Sequence, residues 1–191
     1  MRIISGEFRG RKIEFVSESA TRPTAEVVRQ ALFTKLQFHF PIENCLYLFA
    51  GSGSLGLEAL SRGVNHQYFV ELNRKNAAII ETNLKNFKID YDKNSFKTQK
   101  QASLILGDYI SVLNSFSQKF DLILIDPPYA SQFYETALNI IAERELLADD
   151  GIIVLEHNAD RKFENLPFEI VSQKKYGKRM LTYLSEKKNL V

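Results

Sequence analysis

Residues 45–56 read Cys45-Leu46-Tyr47-Leu48-Phe49-Ala50-Gly51-Ser52-Gly53-Ser54-Leu55-Gly56, an apolar run that ends in glycines and turns at once into a helical pattern. The run 45–49 fits a short buried strand. Gly51, Gly53 and Gly56 fit G-x-G-x-x-G between a strand and a helix. Glycines at such a place let a ligand approach the backbone closely, and the helix N-terminus offers free N–H donors. Leu55, Leu57, Ala59 and Leu60 carry the helical spacing to about Gly63. This strand–loop–helix unit predicts an α/β fold whose ligands sit at the carboxyl ends of parallel strands.

The same rhythm continues downstream. A strand over 66–70 is closed by Glu71, and a helix follows over 74–87. Residues 88–101 are polar, Lys-rich and without a period, which predicts a surface loop. A third strand, 102–106, leads through Gly107-Asp108 into a short helix reaching Leu113. The strand 121–125 is nearly continuous in apolar residues, as expected for burial on both faces, and runs into Asp126-Pro127-Pro128-Tyr129. A helix over about 132–147, a strand over 152–155 and two last strands over 169–172 and 180–184, around Gly177, complete the pattern. Upstream, 2–5 and 12–16 are extended pieces joined across Gly6 to Gly10, a hairpin-like arm. Thr24 is the expected N-cap of a helix reaching about Phe38, which Pro41 stops. The whole predicts a doubly wound, mostly parallel sheet, in which Gly51, Glu71, Asp108 and Asp126 each follow a strand and so gather on one edge.

The chain has 191 residues, 45% hydrophobic and 25% charged, which suits one globular domain. Residues 1–40 are expected to form an N-terminal extension, a basic arm plus a helix, and 41–191 the main domain. One cysteine, Cys45, leaves no disulfide framework or Cys-rich zinc site, and is expected to be a core residue. His39, His66 and His157 form no ligand-spaced cluster, so no metal is expected. No apolar run approaches the ~18 residues of a membrane span, and the start lacks the apolar core of a signal peptide. A soluble cytoplasmic protein, most simply a monomer, is expected. The net charge of +2 hides an uneven distribution: residues 1–12 carry +3, residues 172–191 carry +5, and the stretch between carries −6.

Glu71 lies 20 residues beyond Gly51, where a carboxylate can accept both hydroxyls of a ribose. This spacing does not separate NAD from S-adenosylmethionine. Asp126-Pro127-Pro128-Tyr129 does. Two prolines fix φ and present no N–H donors, so carbonyls at the strand end stay available, and Asp126 adds an acceptor carboxylate. Tyr129 offers a flat face for a base. Acceptors that bind the hydrogens of an exocyclic amine localise its lone pair toward an electrophile, and a sulfonium methyl is such an electrophile. That chemistry needs neither a protein nucleophile nor a metal. The aromatic pairs Phe38/Phe40 and Phe116/Phe120 are expected to be packing residues.

The stretch 48–63, the tetrapeptide 126–129, the leader 2–12, and Arg22-Pro23-Thr24 followed by 28–33 together resemble the bacterial RsmD-type 16S ribosomal RNA (guanine-N2)-methyltransferases over nearly the whole chain. The resemblance implies a class I methyltransferase fold, with a seven-stranded sheet whose last strand is antiparallel. It implies that Phe49, Ala50, Gly51 and Gly53 line an S-adenosylmethionine pocket, with Thr24 near the cofactor. Glu71 would hold the ribose and Asp108 would accept from the adenine amine. Asp126, Pro127, Pro128 and Tyr129 would orient a guanine amine, and Arg9, Arg11, Lys12 and Arg22 would grip RNA phosphates. The partner implied is 16S ribosomal RNA or the small ribosomal subunit. Tyr47 stands where the family commonly has an acidic residue, which removes one carboxylate at the cofactor's amino-acid end. An adenine-N6 DNA methyltransferase and a catalytically silent RNA-binding assembly factor are the alternatives. A nicotinamide-dependent oxidoreductase is disfavoured by the tetrapeptide.

Overall fold

A computed structural model describes residues 1–15, 23–128 and 132–187 of the chain. After an irregular arm, α1 (Pro23–Leu36) and a short 3-10 turn (Gln37–His39) lead to β1 (Asn44–Leu48). Then follow α2 (Ser54–Ser61), β2 (His66–Glu71), α3 (Arg74–Phe87), β3 (Tyr91–Lys93) and β4 (Ala102–Leu106). The chain continues through α4 (Tyr109–Ser115), β5 (Phe120–Ile125), α5 (Gln132–Glu143), β6 (Leu147–Asn158), β7 (Glu169–Tyr176) and β8 (Arg179–Ser185).

The strands form one sheet in the order β3-β4-β2-β1-β5-β6-β8-β7. All pairings are parallel except those of β8, which runs antiparallel to both β6 and β7. β1 lies between β2 and β5, so the winding reverses at β1 and opens a crevice above its carboxyl end. Side-chain alternation divides the core between the two faces. Cys45, Tyr47, Phe69, Leu122 and Leu124 pack with α1, α2 and α3. Leu46, Leu48, Tyr68, Val70, Ile123 and Ile125 pack with α4 and α5. Both faces are covered, which is why the central strands read as continuous apolar runs.

Several expectations are corrected. Among the described residues the sheet has eight strands, not seven, because 88–101 contains the edge strand β3, paired in parallel with β4. That segment is pinned by polar contacts with no periodicity: the Thr98 amide donates to the Tyr68 hydroxyl at 3.1 Å, and Thr98 Oγ1 donates to Asp92 at 2.8 Å. Helix α1 begins at Pro23 and already contains Thr24, which is therefore not its N-cap. A proline's fixed φ suits the first helical position. Helix α5 ends at Glu143, and Leu147 already belongs to β6. Asp149, Asp150 and Gly151 form no turn between elements but lie in a bulge of β6, where the register with β5 jumps between Phe120/Leu147 and Leu122/Ile152. Finally, the arm is hairpin-like but, among the described residues, holds only an isolated antiparallel bridge, Arg2 with Lys12.

The arm docks on the last turn of α2. Ile3, Phe8 and Ile13 are buried in the same core as α1 and α2. The wholly buried Glu58 accepts the amides of Ile4 and Ser5 at 2.8 and 3.0 Å, and the Arg62 guanidinium at 2.8 Å. Arg29, also buried, approaches Glu58 at 3.6 Å and donates to the Arg2 carbonyl at 2.5 Å. The Glu7 amide satisfies the free carbonyl of Ser61 at 2.7 Å, one of the orphan acceptors at the end of a helix. Gly6, at φ +85, passes so close that a Cβ there would sit 1.7 Å from the Ser61 carbonyl oxygen. Replacing Gly6 by Ala is therefore expected to lift the arm off α2 and to cost about 1–3 kcal/mol. For a chain of this size that is a fall in Tm of several degrees, measurable by thermal unfolding. An unchanged Tm refutes this docking.

Candidate active site at the carboxyl edge

The loop after β1 carries three positive φ angles within five residues: Phe49 at 60°, Gly51 at 58° and Gly53 at 80°. Gly53 is the N-cap of α2, and its amide donates to the Ala50 carbonyl at 2.7 Å. The loop is tied to the next strand by the Ala50 amide donating to the Val70 carbonyl at 3.0 Å. Glu71 reinforces this link. One carboxylate oxygen accepts from the Gly51 amide and the other from the Asn73 amide, both at 2.7 Å. A carboxylate has about four acceptor positions, so two remain. Gly56 lets α2 lie directly on β2, since a Cβ there would meet the Phe69 ring at 2.3 Å. Gly51, by contrast, faces open space: a Cβ there would meet only the Phe49 carbonyl oxygen, at 4.0 Å.

Asp108 follows β4 and caps α4, one carboxylate oxygen accepting from the amides of Ile110 and Ser111 at 3.0 and 3.4 Å. It is flanked by apolar side chains that stay in solvent, Leu106 and Ile110 at 40% exposure. Leu72, at 67% exposure, follows Glu71, which pairs with Leu106 in the sheet. Three apolar residues thus stay exposed near one acidic residue at the ends of β2 and β4. Next to it, Phe49 packs against Tyr109 and Phe133 at ring separations of 4.9 and 5.4 Å, joining the glycine loop to the first turns of α4 and α5.

Asp126 follows β5. Because Ile125 pairs with Leu155, the next residues, Asp126 and Glu156, come side by side on adjacent strands. Burial, and then the Glu156 charge, push the Asp126 carboxyl well above the usual carboxylate range, with Arg179 opposing. Burial also raises Glu156, again opposed by Arg179, whose Nε lies 3.7 Å from it. The Tyr134 hydroxyl donates to the Glu156 carbonyl at 2.6 Å and fixes this strand end. Sequence reading missed Glu156. Its signal was there to be read, since it follows the strand Ile152 to Leu155 just as Glu71 and Asp126 follow theirs. Pro127 is buried and Pro128 exposed at the rim.

The carboxyl edge therefore brings together Phe49, Ala50, Gly51, Gly53, Glu71, Asp108, Asp126, Pro127 and Pro128. The arm residues lie elsewhere. Arg11 donates to the carbonyls of Asn86 and Phe87 at the end of α3 and stacks over the Phe87 ring at 4.5 Å. Lys12 pairs with Glu14 at 3.1 Å, and Arg9 is exposed. The ends of α2 and α3 face the amino edge, from which the next strands start. Arg22, Tyr129 and the side chain of Thr24 lie outside the described residues. A depression lined by His39, Pro41, Lys119, Asp121 and Asp149 is also at the amino edge and holds none of the predicted site residues. Among the described residues no group of three or more His, Cys, Asp or Glu is placed to hold a metal, and no helix is long and apolar enough to cross a membrane.

A reversal at β1, a glycine loop bound to an acidic residue at the end of β2, and Asp-Pro-Pro after β5 define the fold and edge of a class I methyltransferase. Comparison with known proteins agrees. Residues 1–185 match the sequence family described as conserved hypothetical protein 95. YlbH of Bacillus subtilis is 34% identical over 182 residues, covering 93% of this chain and 94% of that protein. Ribosomal RNA small subunit methyltransferase D of Haemophilus influenzae is 32% identical over 163 residues, 84% of this chain and 80% of its own. The solved structure of yhhF from Escherichia coli superposes with a TM-score of 0.81 at 28% identity, covering 98% of this chain and 99% of that one. The chain belongs to the RsmD family of ribosomal RNA small-subunit methyltransferases.

The raised Asp126 carboxyl has a thermodynamic signature. The folded protein holds its proton at pH values where the unfolded chain, with an ordinary Asp near 4, has lost it. Folding stability then falls as pH rises through that window. Replacing Asp126 by Asn removes the penalty. The variant's Tm relative to wild type is expected to increase steadily as pH rises above about 4. A difference independent of pH would show that burial does not perturb Asp126.

Proposed function

We propose that the protein transfers the methyl group of S-adenosylmethionine to the exocyclic N2 amine of a guanine in 16S ribosomal RNA. The observation that carries this reading is the meeting, on one sheet edge, of Glu71 and the glycine loop with Asp126-Pro127-Pro128 and a second buried carboxylate. The residues present fit the cofactor. Glu71 keeps acceptor positions for a ribose diol, Gly51 leaves the loop open, and Leu72, Leu106 and Ile110 offer apolar faces to an adenine beside Asp108. Phe49, Ala50 and Gly53 line the same crevice, and the sequence resemblance adds Thr24. When bound, S-adenosylmethionine supplies an electrophilic methyl on a sulfonium.

Asp126 accepts a hydrogen of the guanine amine, and the carbonyls at the Pro127 and Pro128 turn accept the other. Together they hold the nitrogen lone pair toward the glycine loop. A methyl group taken up at that nitrogen would leave the amine with a proton to shed. Burial and Glu156 make Asp126 a stronger proton acceptor than an ordinary aspartate, which suits that step. Tyr129 stacks on the base once it leaves its helix. Arg9 and Arg22 hold more distant phosphates, while Arg11 and Lys12 of the same arm are engaged within the chain. The names of the relatives support ribosomal RNA as substrate, and a ribosomal RNA substrate implies the cytoplasm as the place of action.

A tritiated-methyl assay on 16S ribosomal RNA tests the reading. Asp126→Ala is expected to lower kcat by at least about 100-fold, while calorimetric S-adenosylmethionine affinity changes little. Nucleoside mass spectrometry of the product should show N2-methylguanosine. Equal incorporation by wild type and variant, or a methylated adenine, would overturn the assignment.

A further inference from the structure

We infer that the tip of the β7–β8 hairpin, through Lys174, Lys175 and Lys178, grips the RNA backbone next to the methylated base. The inference rests on the RNA reading above and adds a surface to it.

The topology places this tip at the active edge. β6 points its carboxyl end toward that edge, and β8 runs against it, with Asn158 opposite Arg179 and the Ala159 amide donating to the Lys178 carbonyl at 3.0 Å. The turn at Gly177 and Lys178 thus lies just beyond Asn158, on the same edge as Glu156 and Asp126. Three strand spacings separate β5 from β7, about 14 Å at ~4.8 Å each. A few nucleotides flanking a base at Asp126 span that distance.

The chemistry of the tip matches a phosphate chain. Lys174, Lys175 and Lys178 are exposed, and none forms an ion pair among the described residues. Lys174 pairs across the hairpin with Leu181 and Lys175 with Met180, so the two lysines project from opposite faces of the sheet edge. Tyr176 follows them, with Lys174 Nζ 6.0 Å from its ring centre, an aromatic and cationic pair of the kind that binds single strands. Arg179 completes the ladder and reaches inward to Glu156. The acidic member of β7, Glu169, is at the far end of the strand. By contrast, the arm's Arg11 and Lys12 are engaged within the chain, toward the amino edge.

The test compares two variants with wild type, Lys174→Ala/Lys175→Ala/Lys178→Ala in the hairpin and Arg9→Ala/Lys12→Ala in the arm. Binding to in vitro transcribed 16S ribosomal RNA is measured against salt concentration, with S-adenosylmethionine calorimetry and thermal unfolding as controls. The hairpin variant is expected to lose about 2 from the slope of log K against log salt, at roughly 0.7 per single-strand phosphate contact. Its KM for RNA should rise at least about tenfold while S-adenosylmethionine affinity and Tm hold. A slope and KM equal to wild type, or a larger loss in the arm variant, overturns the inference. If wild type binds S-adenosylmethionine but no RNA, the RNA reading itself fails and the hairpin surface falls with it.

Discussion

Everything at the carboxyl edge depends on one constraint, the pairing of β1 with β2 on one side and β5 on the other. A right-handed crossover from β1 must carry α2 over one face, and after the winding reverses, α4 and α5 must cover the other. The loops that follow β1 and β5 are therefore forced apart above β1, and a crevice opens between them. Glu71 then closes the geometry locally. By holding the amides of both Gly51 and Asn73, one carboxylate sets the glycine loop and the start of α3 at a fixed distance. The loop keeps its sequence of positive φ angles because both neighbours, β2 and α2, are packed against it.

Much of this was readable from residues 45–56, 66–71 and 121–128, because parallel strands buried on both faces are continuous apolar runs and the acidic residues stand just beyond them. The fold class and the grouping on one edge came from that pattern. β3 did not, since three residues with one apolar side chain, Tyr91, have no period to detect, and its neighbourhood is held by side-chain hydrogen bonds such as that of Thr98 with Asp92. The long β6 was hidden by Asp149, Asp150 and Gly151, residues that spell a turn but lie in a bulge. Glu156 stands beyond its strand as Glu71 and Asp126 do, so its place on the edge was legible. Its pairing with Asp126 was not, because register is a tertiary fact. The arm illustrates the limit of charge counting: Arg11 contributes to a basic terminus in composition, yet its guanidinium caps α3 and covers the Phe87 ring.

The charge distribution in space is more telling than the near-neutral total. Acidic groups converge where β2, β5 and β6 end, and they are partly desolvated, which costs stability that the surrounding apolar packing must offset. Tyr47 lies among them, buried, with the charges of Asp126, Glu156 and Glu71 all disfavouring its ionisation. A neutral phenol there adds no further repulsion to an edge already crowded with carboxylates. Apart from Arg179, which reaches Glu156, the cations of the hairpin and the arm lie outside this acidic group.

Asn83 carries a last consequence. Its side-chain amide donates to the carbonyls of both Glu14 and Ser52, at 2.9 and 3.1 Å, while its oxygen accepts the Glu14 amide at 2.8 Å. One residue in the middle of α3 thus fastens the base of the arm to the glycine loop. The first fifteen residues act as a splint for the pocket, mechanically continuous with it although they lie outside it. The arm's base and Ser52 of the glycine loop thus share one hydrogen-bonding side chain, so a displacement of one is felt by the other's partner.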